Sequence, residues 1–302
     1  MKLTILGCYS ATPRTHTNAT AQVLELRNQT ILIDCSEGTQ VQLRKAKVKF
    51  SRIKHIFISH LHGDHYFGLI GLISTFQLLG RKNELHIYGP EGLKEIIHLQ
   101  LKAGKSWTSY DLIFHELTSD KPELLLDTEH FTVETIPLMH RVYTNGFLFR
   151  EKLGPRKLDI QKAVAAGVDT AYFNKLKQGA SVPNRDGNLI ANASVTQDPD
   201  TPKSYAYCSD TAYHPDIIPQ LHKVTALYHE ATFLQEHEHL AKVTGHSTAK
   251  QAALMAQKAE VGQLILGHYS TRYDSLDLFL AESQPIFAQT ALARDLAVFE
   301  WK

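Results

Sequence analysis

Short apolar runs punctuated by polar turns dominate the chain. Lys2 to Leu6, Ala21 to Leu26 and Thr30 to Asp34 alternate or run apolar and predict the first strands of a sheet. A helix over Thr39 to Lys45 follows. Lys54 to Ser59, rich in β-branched and aromatic residues, predicts a buried strand, and the apolar segment Tyr66 to Leu79 a helix. The rhythm continues with a strand at Leu85 to Tyr88, a helix from Glu91 to Leu101, and strands at Leu112 to Leu117, Phe131 to Ile136 and Asn145 to Arg150. This β-α-β-α order with short connections favours an α/β layered fold. Beyond Ser204 the order returns, with strands at Ser204 to Ser209, Val224 to Tyr228 and Gln263 to Leu266. Between the last two, a polar turn that includes Glu236-His237-Glu238-His239 leads to a helix from Ala249 to Ala259, opened by a Thr248-x-x-Gln251 capping box.

Between Glu151 and Leu189 the periodicity weakens. From Arg150 to Leu189 there are eight basic side chains against four acidic ones, and one short helix, Ile160 to Ala166, is predicted. Such a segment reads either as a mobile surface insertion or as a basic arm that holds a phosphate backbone.

Composition narrows the class. Hydrophobic content of 43% and charged content of 21% suit a globular enzyme with a large core, and a net charge of +1 gives no global nucleic-acid signal. Three cysteines without C-x-x-C spacing argue against a disulfide framework and for a reducing cytoplasm. Met1 to Gly7 lacks the apolar core of a signal peptide, and the longest uncharged run, Tyr66 to Gly80, is too short to span a bilayer. The basic stretch Arg44 to Lys54 precedes a strand and reads as a solvated face.

The 17 histidines change the picture. His60-Leu61-His62-Gly63-Asp64-His65 follows the buried strand directly. In extended chain, residues i and i+2 point the same way, so His60 and His62 can grip one ion. Gly63 supplies a flexible turn, and Asp64 and His65 then project in another direction. Zinc suits this donor set best among common metals, although manganese or iron would accept it. Other strands also end in ligand types: His140, Asp210 and His268. Seven ligands suffice for two ions, with His60, His62 and His140 on one, Asp64, His65 and His268 on the other, and Asp210 between them. Asp64 could also accept a proton from water. His246 stands before the capped helix, where Glu230 or His229 could orient it to protonate a leaving alkoxide. His55, His86, His98, His115, His130, His214 and His222 show no partner pattern, and His237 and His239 read as a solvated loop.

Several stretches together resemble the metallo-β-lactamase superfamily and, within it, the short form of the ribonuclease Z family of tRNA 3′-processing endonucleases. They are the hydroxyl-rich loop Gly7 to Asn18, Asp34 to Gln40, Ile58 to Gly71, Pro137 to Val142, Tyr207 to Thr211, His229 to Phe233 (HEATF), His246 to Thr248 (HST) and Leu266 to Tyr273. The resemblance implies an α/β fold, a four-layer αβ/βα metallo-β-lactamase sandwich over residues 1–302 with an inserted, protruding basic exosite arm at 151–189. It implies two zinc ions on His60, His62, Asp64, His65, His140, Asp210 and His268, with Asp64 as general base. His246, supported by Glu230, is implied as proton donor to the leaving group, and Arg272, Lys175 and Lys177 as phosphate contacts. Precursor tRNA is the implied substrate and a homodimer the implied assembly. Two other readings compete: a dinuclear-zinc hydrolase of small phosphodiesters or esters, which has no need of the arm, and an RNA-binding scaffold with a relic site.

Overall fold

The computed structural model describes residues 1–12 and 14–302; Pro13, inside the hydroxyl-rich loop, lies outside the described residues. The chain divides into two compact units. The first comprises Met1–Asp127, Phe131–Arg150 and Lys203–Lys302, and the second Thr128–His130 and Glu151–Pro202.

Two seven-stranded sheets build the first unit. One contains β1 (Lys2–Gly7), β2 (Ala21–Leu26), β3 (Gln29–Ile33), β4 (Ile53–Phe57), β5 (Leu85–Pro90), β6 (Leu112–Leu117) and, from the far end of the chain, β14 (Val298–Glu300). The other contains β7 (Leu124–Asp127), β8 (Phe131–Pro137), β9 (Asn145–Glu151), β10 (Ser204–Cys208), β11 (Ala226–Glu230), β12 (Leu264–Gly267) and β13 (Thr290–Leu292). Their orders mirror each other, β14-β1-β2-β3-β4-β5-β6 and β13-β12-β11-β10-β9-β8-β7. The parallel runs β3 to β6 and β10 to β13 are the segments where the sequence alternates strand with crossover.

Strand alternation sorts side chains between two cores. On β4, Ile56 joins Leu43 of α1 (Thr39–Lys45), Leu72 and Phe76 of α3 (Leu69–Leu78) and Ile97 of α4 (Leu93–Ala103). Its neighbour Phe57 points the other way, with ring centroids 5.2 Å from Phe147 and 5.5 Å from Phe149 of the opposing sheet. Alanines of α6 (Ala249–Lys258) and Phe279 of α7 (Asp277–Ser283) pack with the second sheet. The layers are thus helix, sheet, sheet, helix, as the resemblance implies.

The Thr248 capping box is formed in full: Gln251 N–H donates to Thr248 Oγ1 at 3.2 Å and Thr248 N–H donates to Gln251 Oε1 at 3.0 Å. Two expectations need correction. Glu236 to His239 is largely exposed, as expected, but it is not a loop: Gln235–His237 is a 3-10 turn and Glu238 opens the helix α5 (Glu238–Thr244). The acidic first turn, Glu236 and Glu238, suits a helix N-terminus. His55, His86 and His115 also have partners, stacking across β4, β5 and β6 with centroids 5.2 and 5.3 Å apart, and His86 Nδ1 lies 3.0 Å from His115 Nε2. Strand register creates that column, and register is invisible to local periodicity.

The second unit has its own small core of Ala163, Val168, Leu176, Val182 and Val195. Around it lie helices Ile160–Ala165, Phe173–Lys177 and Asn192–Val195. Two short antiparallel ladders pair Lys157–Leu158 with Thr196–Gln197 and Val182–Pro183 with Leu189–Ile190. Asp159 caps the first helix, its carboxylate accepting from Lys162 N–H at 3.0 Å. The turn between the paired Pro183 and Leu189 is held by Asn184 Oδ1, which accepts from Asp186 and Asn188 N–H. The sequence pattern resolves only the first of these helices, because two-residue strands carry no period.

Candidate metal centre and its neighbouring acid–base pair

The six-residue histidine motif emerges from β4 as expected. His60 follows the strand, His62 caps the single turn α2 (Gly63–Tyr66), and Asp64 and His65 lie on that turn. Gly63 is needed for space rather than for a left-handed turn: a Cβ there would sit 2.2 Å from the Phe67 ring. His140 follows β8, Asp210 follows β10, and His268 follows β12 with φ of 60°. The ligand-bearing strands therefore belong to two sheets, β4 to one and β8, β10 and β12 to the other.

These side chains form two groups that share Asp210. In the first, His62 Nδ1 lies 3.1 Å from His60 Nε2 and 3.4 Å from His140 Nε2, and Asp210 Oδ2 is 3.5 Å from His60 Nε2. In the second, Asp64 Oδ2 is 3.5 Å from His65 Nε2 and 3.4 Å from His268 Nε2, while Asp210 Oδ1 is 3.4 and 3.2 Å from those nitrogens. Donors about 2.1 Å from one tetrahedral ion stand about 3.4 Å apart, so these spacings fit two ions bridged by one carboxylate. Buried His65 Nε2 and Asp210 Oδ1 make no hydrogen bond. Buried polar atoms rarely stay unpaired, and orphans aimed at a common point fit a cation.

The far side of four of the five imidazoles is fixed. His65 Nδ1–H donates to Asp34 Oδ2 at 2.7 Å, His60 Nδ1–H to Ser59 Oγ at 3.0 Å, His140 Nδ1–H to the Gly245 carbonyl at 2.7 Å and His268 Nδ1–H to Thr232 Oγ1 at 2.8 Å. Such partners select the tautomer whose inward nitrogen carries a lone pair. Asp34 is fully buried, with φ of 54°, and also accepts from Ser59 N–H, Ser59 Oγ–H and Tyr207 O–H. Asp34, Ser59, Tyr207 and Thr232 are working parts that sequence reasoning missed. Asp34 offered a signal, a carboxylate closing an apolar strand.

Burial, reinforced by neighbouring His65, holds His60 well below the usual imidazole range. Burial works against ionisation of Asp210, yet His268, His65 and His60 around it hold its carboxyl well below the usual range. Asp64 is lowered likewise, against burial, by His65 and His268.

His246 stands beside this cluster. Its Nδ1 is 2.9 Å from Glu230 Oε1 and 3.2 Å from Thr232 Oγ1. Burial alone would lower its pKa, but the Glu230 carboxylate outweighs burial and pushes it up to about 9. Of the two orienting residues left open by the sequence, Glu230 fills the role: His229 turns its Nδ1 to the Glu230 carbonyl at 2.7 Å. His246 also lies within ligand reach of Asp210 and His268, but Glu230 favours its protonated form, which has no lone pair to offer. A cavity of about 420 Å³ opens here, lined by Thr12, His62, Asp64, Arg141, Phe233 and His246 among others. Arg272 stacks its guanidinium 4.9 Å over the Phe233 ring and donates from Nε to Ser270 Oγ, and both of those residues line the cavity. Arg141, next to His140, is a cation at this cavity that sequence reasoning passed over. Lys175 and Lys177 are exposed on the helix Phe173–Lys177 of the second unit. Among the described residues, His237 and His239 join none of the candidate ligand groups.

Two facing sheets flanked by helices, with a His/Asp cluster capable of holding metal at the strand ends, define a hydrolase of the metallo-β-lactamase fold. The metallo-β-lactamase fold protein YhfI from Bacillus subtilis matches at a TM-score of 0.68, with 19% identity over 99% of both chains. Human tRNase Z, short form, matches at a TM-score of 0.73 with 28% identity, again over 99% of both. Ribonuclease Z of Bacteroides fragilis is 46% identical over 294 residues, covering 97% of each chain. The chain belongs to the ribonuclease Z family, and with it to the endoribonucleases; residues 1–154 also match the family model described as Anti-Pycsar protein Apyc1.

Proposed function

We propose that this chain cuts precursor tRNA on the 3′ side of the mature sequence, removing the 3′ trailer and leaving a 3′-hydroxyl on the tRNA. The observation that carries the reading is the juxtaposition of two metal-type donor groups sharing Asp210 with a separate, carboxylate-backed imidazole, His246. His60, His62 and His140 would hold one zinc ion, Asp64, His65 and His268 a second, and Asp210 both. When bound, the pair would supply Lewis acidity at the scissile phosphate. Asp64 accepts the proton of the attacking water. As the bond from phosphorus to the 3′-oxygen breaks, His246 gives its proton to that oxygen, and Glu230 stabilises the imidazole throughout. The trailer leaves with a 5′-phosphate. Arg272 and Arg141 offset phosphate charge at the cavity, and Lys175 and Lys177 contact the RNA backbone at a distance from the cut.

The independent small core of the second unit supports its reading as a preformed RNA-holding arm, residues 151–189 of a single metallo-β-lactamase-like chain. A homodimer is supported by apolar side chains turned outward on and around α1 and α3: Val41, Phe67 and Leu78, the last 86% exposed. Cys8, Cys35 and Cys208 are free and buried, which fits a cytoplasmic protein, and among the described residues no helix is long and apolar enough to cross a membrane.

The test is incubation of 3′-labelled precursor tRNA with wild type and Asp64→Ala, both loaded with zinc. Release of the trailer after the discriminator nucleotide by wild type alone is the expected result. Equal release by both overturns the assignment of Asp64. Intact tRNA alongside rapid hydrolysis of bis(p-nitrophenyl) phosphate would transfer the enzyme to the small-diester class.

A further inference from the structure

At the end of β4 remote from the histidines, two helix C-termini meet around a second cavity. α1 closes in a Schellman turn, with Lys47 N–H donating to the Arg44 carbonyl and Val48 N–H to the Leu43 carbonyl, both at 3.0 Å. α3 closes in the same way, Gly80 N–H donating to Gln77 and Arg81 N–H to Phe76, both at 3.0 Å. Each turn needs a left-handed residue after the cap, a position that glycine occupies without strain. Gly80 meets that need with φ of 72°, but α1 places Lys47 there, at φ of 57°. Lys105 after α4 and Glu260 after α6 take the same place at φ of 49° and 51°, so what sets Lys47 apart is that its side chain lines the cavity.

The cavity, about 660 Å³, is lined by Arg44, Lys47, Lys49, Phe50, Phe76 and Lys82 among others, and no carboxylate lines it. That volume lies within the ordinary range for small-molecule sites. Phe50 and Phe76 meet edge to face at 5.9 Å and form an apolar floor. Arg81, beneath it, donates to the carbonyls of Asn83, Ile53 and Glu84 and is consumed in holding the loop. The other four cations are exposed, and none of them makes an ion pair among the described residues. Attraction to a helix C-terminus accounts for Arg44, in the last turn of α1. It does not account for Lys49 and Lys82, which lie past the helix ends. Like charges gathered on one concavity repel unless an anion enters.

We propose that this cavity binds a nucleoside phosphate. Arg44 lies 4.6 Å over the Phe50 ring, which leaves the outer face of its guanidinium as a flat platform for a base. Lys47, Lys49 and Lys82 supply compact ammonium charges for the phosphates. The seven residue steps from Ile53 to His60 span about 23 Å in extended chain, so one nucleotide cannot occupy this cavity and the metal-type cluster together. The same chemistry belongs to a free nucleotide and to a nucleotide of single-stranded RNA. The inference stands independently of the proposed tRNA cleavage.

Equilibrium dialysis of the full chain with radiolabelled ATP, competed by AMP, inorganic phosphate and 5′-phosphorylated hexauridylate, tests it, with 8-azidoadenosine triphosphate to map the site. One saturable ATP site per chain is expected, cross-linking within residues 44–52 or 76–83. Affinity should fall about tenfold or more in the double variant Lys47→Glu/Lys49→Glu. Lys47→Gly keeps the Schellman turn, so it should fold at least as well as wild type and still bind ATP more weakly. Displacement by hexauridylate as effective as by AMP assigns the site to single-stranded RNA, and displacement by mononucleotides alone to a free nucleotide. Absence of saturable binding, cross-linking confined to residues 60–65 or 246–272, or inorganic phosphate competing as well as ATP overturns the proposal.

Discussion

Glu230 is the most constrained single residue of the site. Its fully buried carboxylate accepts from Thr211, Thr232 and Ser247 N–H and from Thr232 Oγ1, and the His246 ring closes the shell. Glu230→Gln keeps the shape but removes the charge that holds His246 protonated. If His246 gives a proton to the leaving oxygen, kcat on precursor tRNA should drop by about 10²-fold or more with KM little changed. A rise in KM alone would make the pair a binding feature instead. Asp34 acts one step further out, through His65. Asp34→Asn should weaken metal retention about 10- to 100-fold, read by chelator competition without any turnover; unchanged retention would confine Asp34 to folding.

Elements set what those residues can reach. The capping box of α6 directs the chain just after His246, and Thr248→Ala removes one acceptor of that box. A loss of about 1 kcal/mol in denaturant unfolding is expected. The His55, His86 and His115 column on β4 to β6 carries a pH consequence. Burial, with His86, Lys54 and His115 adding to it and Glu84 opposing, lowers the His55 pKa to about 4. A histidine depressed in the folded state is neutral there while the unfolded chain takes up a proton. Stability therefore drops as pH falls from about 6.5 toward about 4, and nothing changes above that window. The unfolding midpoint of wild type should fall more steeply between pH 7 and 4.5 than that of His55→Asn. Parallel curves would remove the column from the acid sensitivity of the fold.

At the scale of the whole molecule, the chain divides into two compact units, and the proposed function gives chemistry to the first and recognition to the second. The second unit has its own core, ladders and caps, so replacing residues 155–197 with a short glycine-serine linker removes a self-contained piece. Loss of tRNA cleavage with retained hydrolysis of bis(p-nitrophenyl) phosphate is the expected outcome, and equal loss of both would join the two roles. Stripping metal with a chelator should lower the melting temperature as well as activity, since a ligand bound only to the folded state stabilises it by about 2.7 kcal/mol at one hundred times its dissociation constant.

Local physics made much of this legible in the amino-acid order. The strands at Ala21–Leu26 and Leu112–Leu117, the helix at Thr39–Lys45 and the capping box at Thr248 stand where hydrophobic period and capping chemistry put them. His60, His140, Asp210 and His268 were legible as candidate ligands because each closes an apolar run, and His62, Asp64 and His65 because they crowd behind His60; the chain brings all seven together. Tertiary structure decided which nitrogen faces inward, because partners such as Asp34 and Gly245 lie 31 and 105 residues away from the imidazoles they orient. It decided that the ligand-bearing strands come from two sheets, and that Glu230 rather than its neighbour His229 meets His246, since successive residues of a strand face opposite ways. It also paired Lys157–Leu158 with Thr196–Gln197 across a gap that no window of local sequence spans. The sequence determined which residue types stand at the strand ends; the register of sheets packed against each other determined what each of them touches.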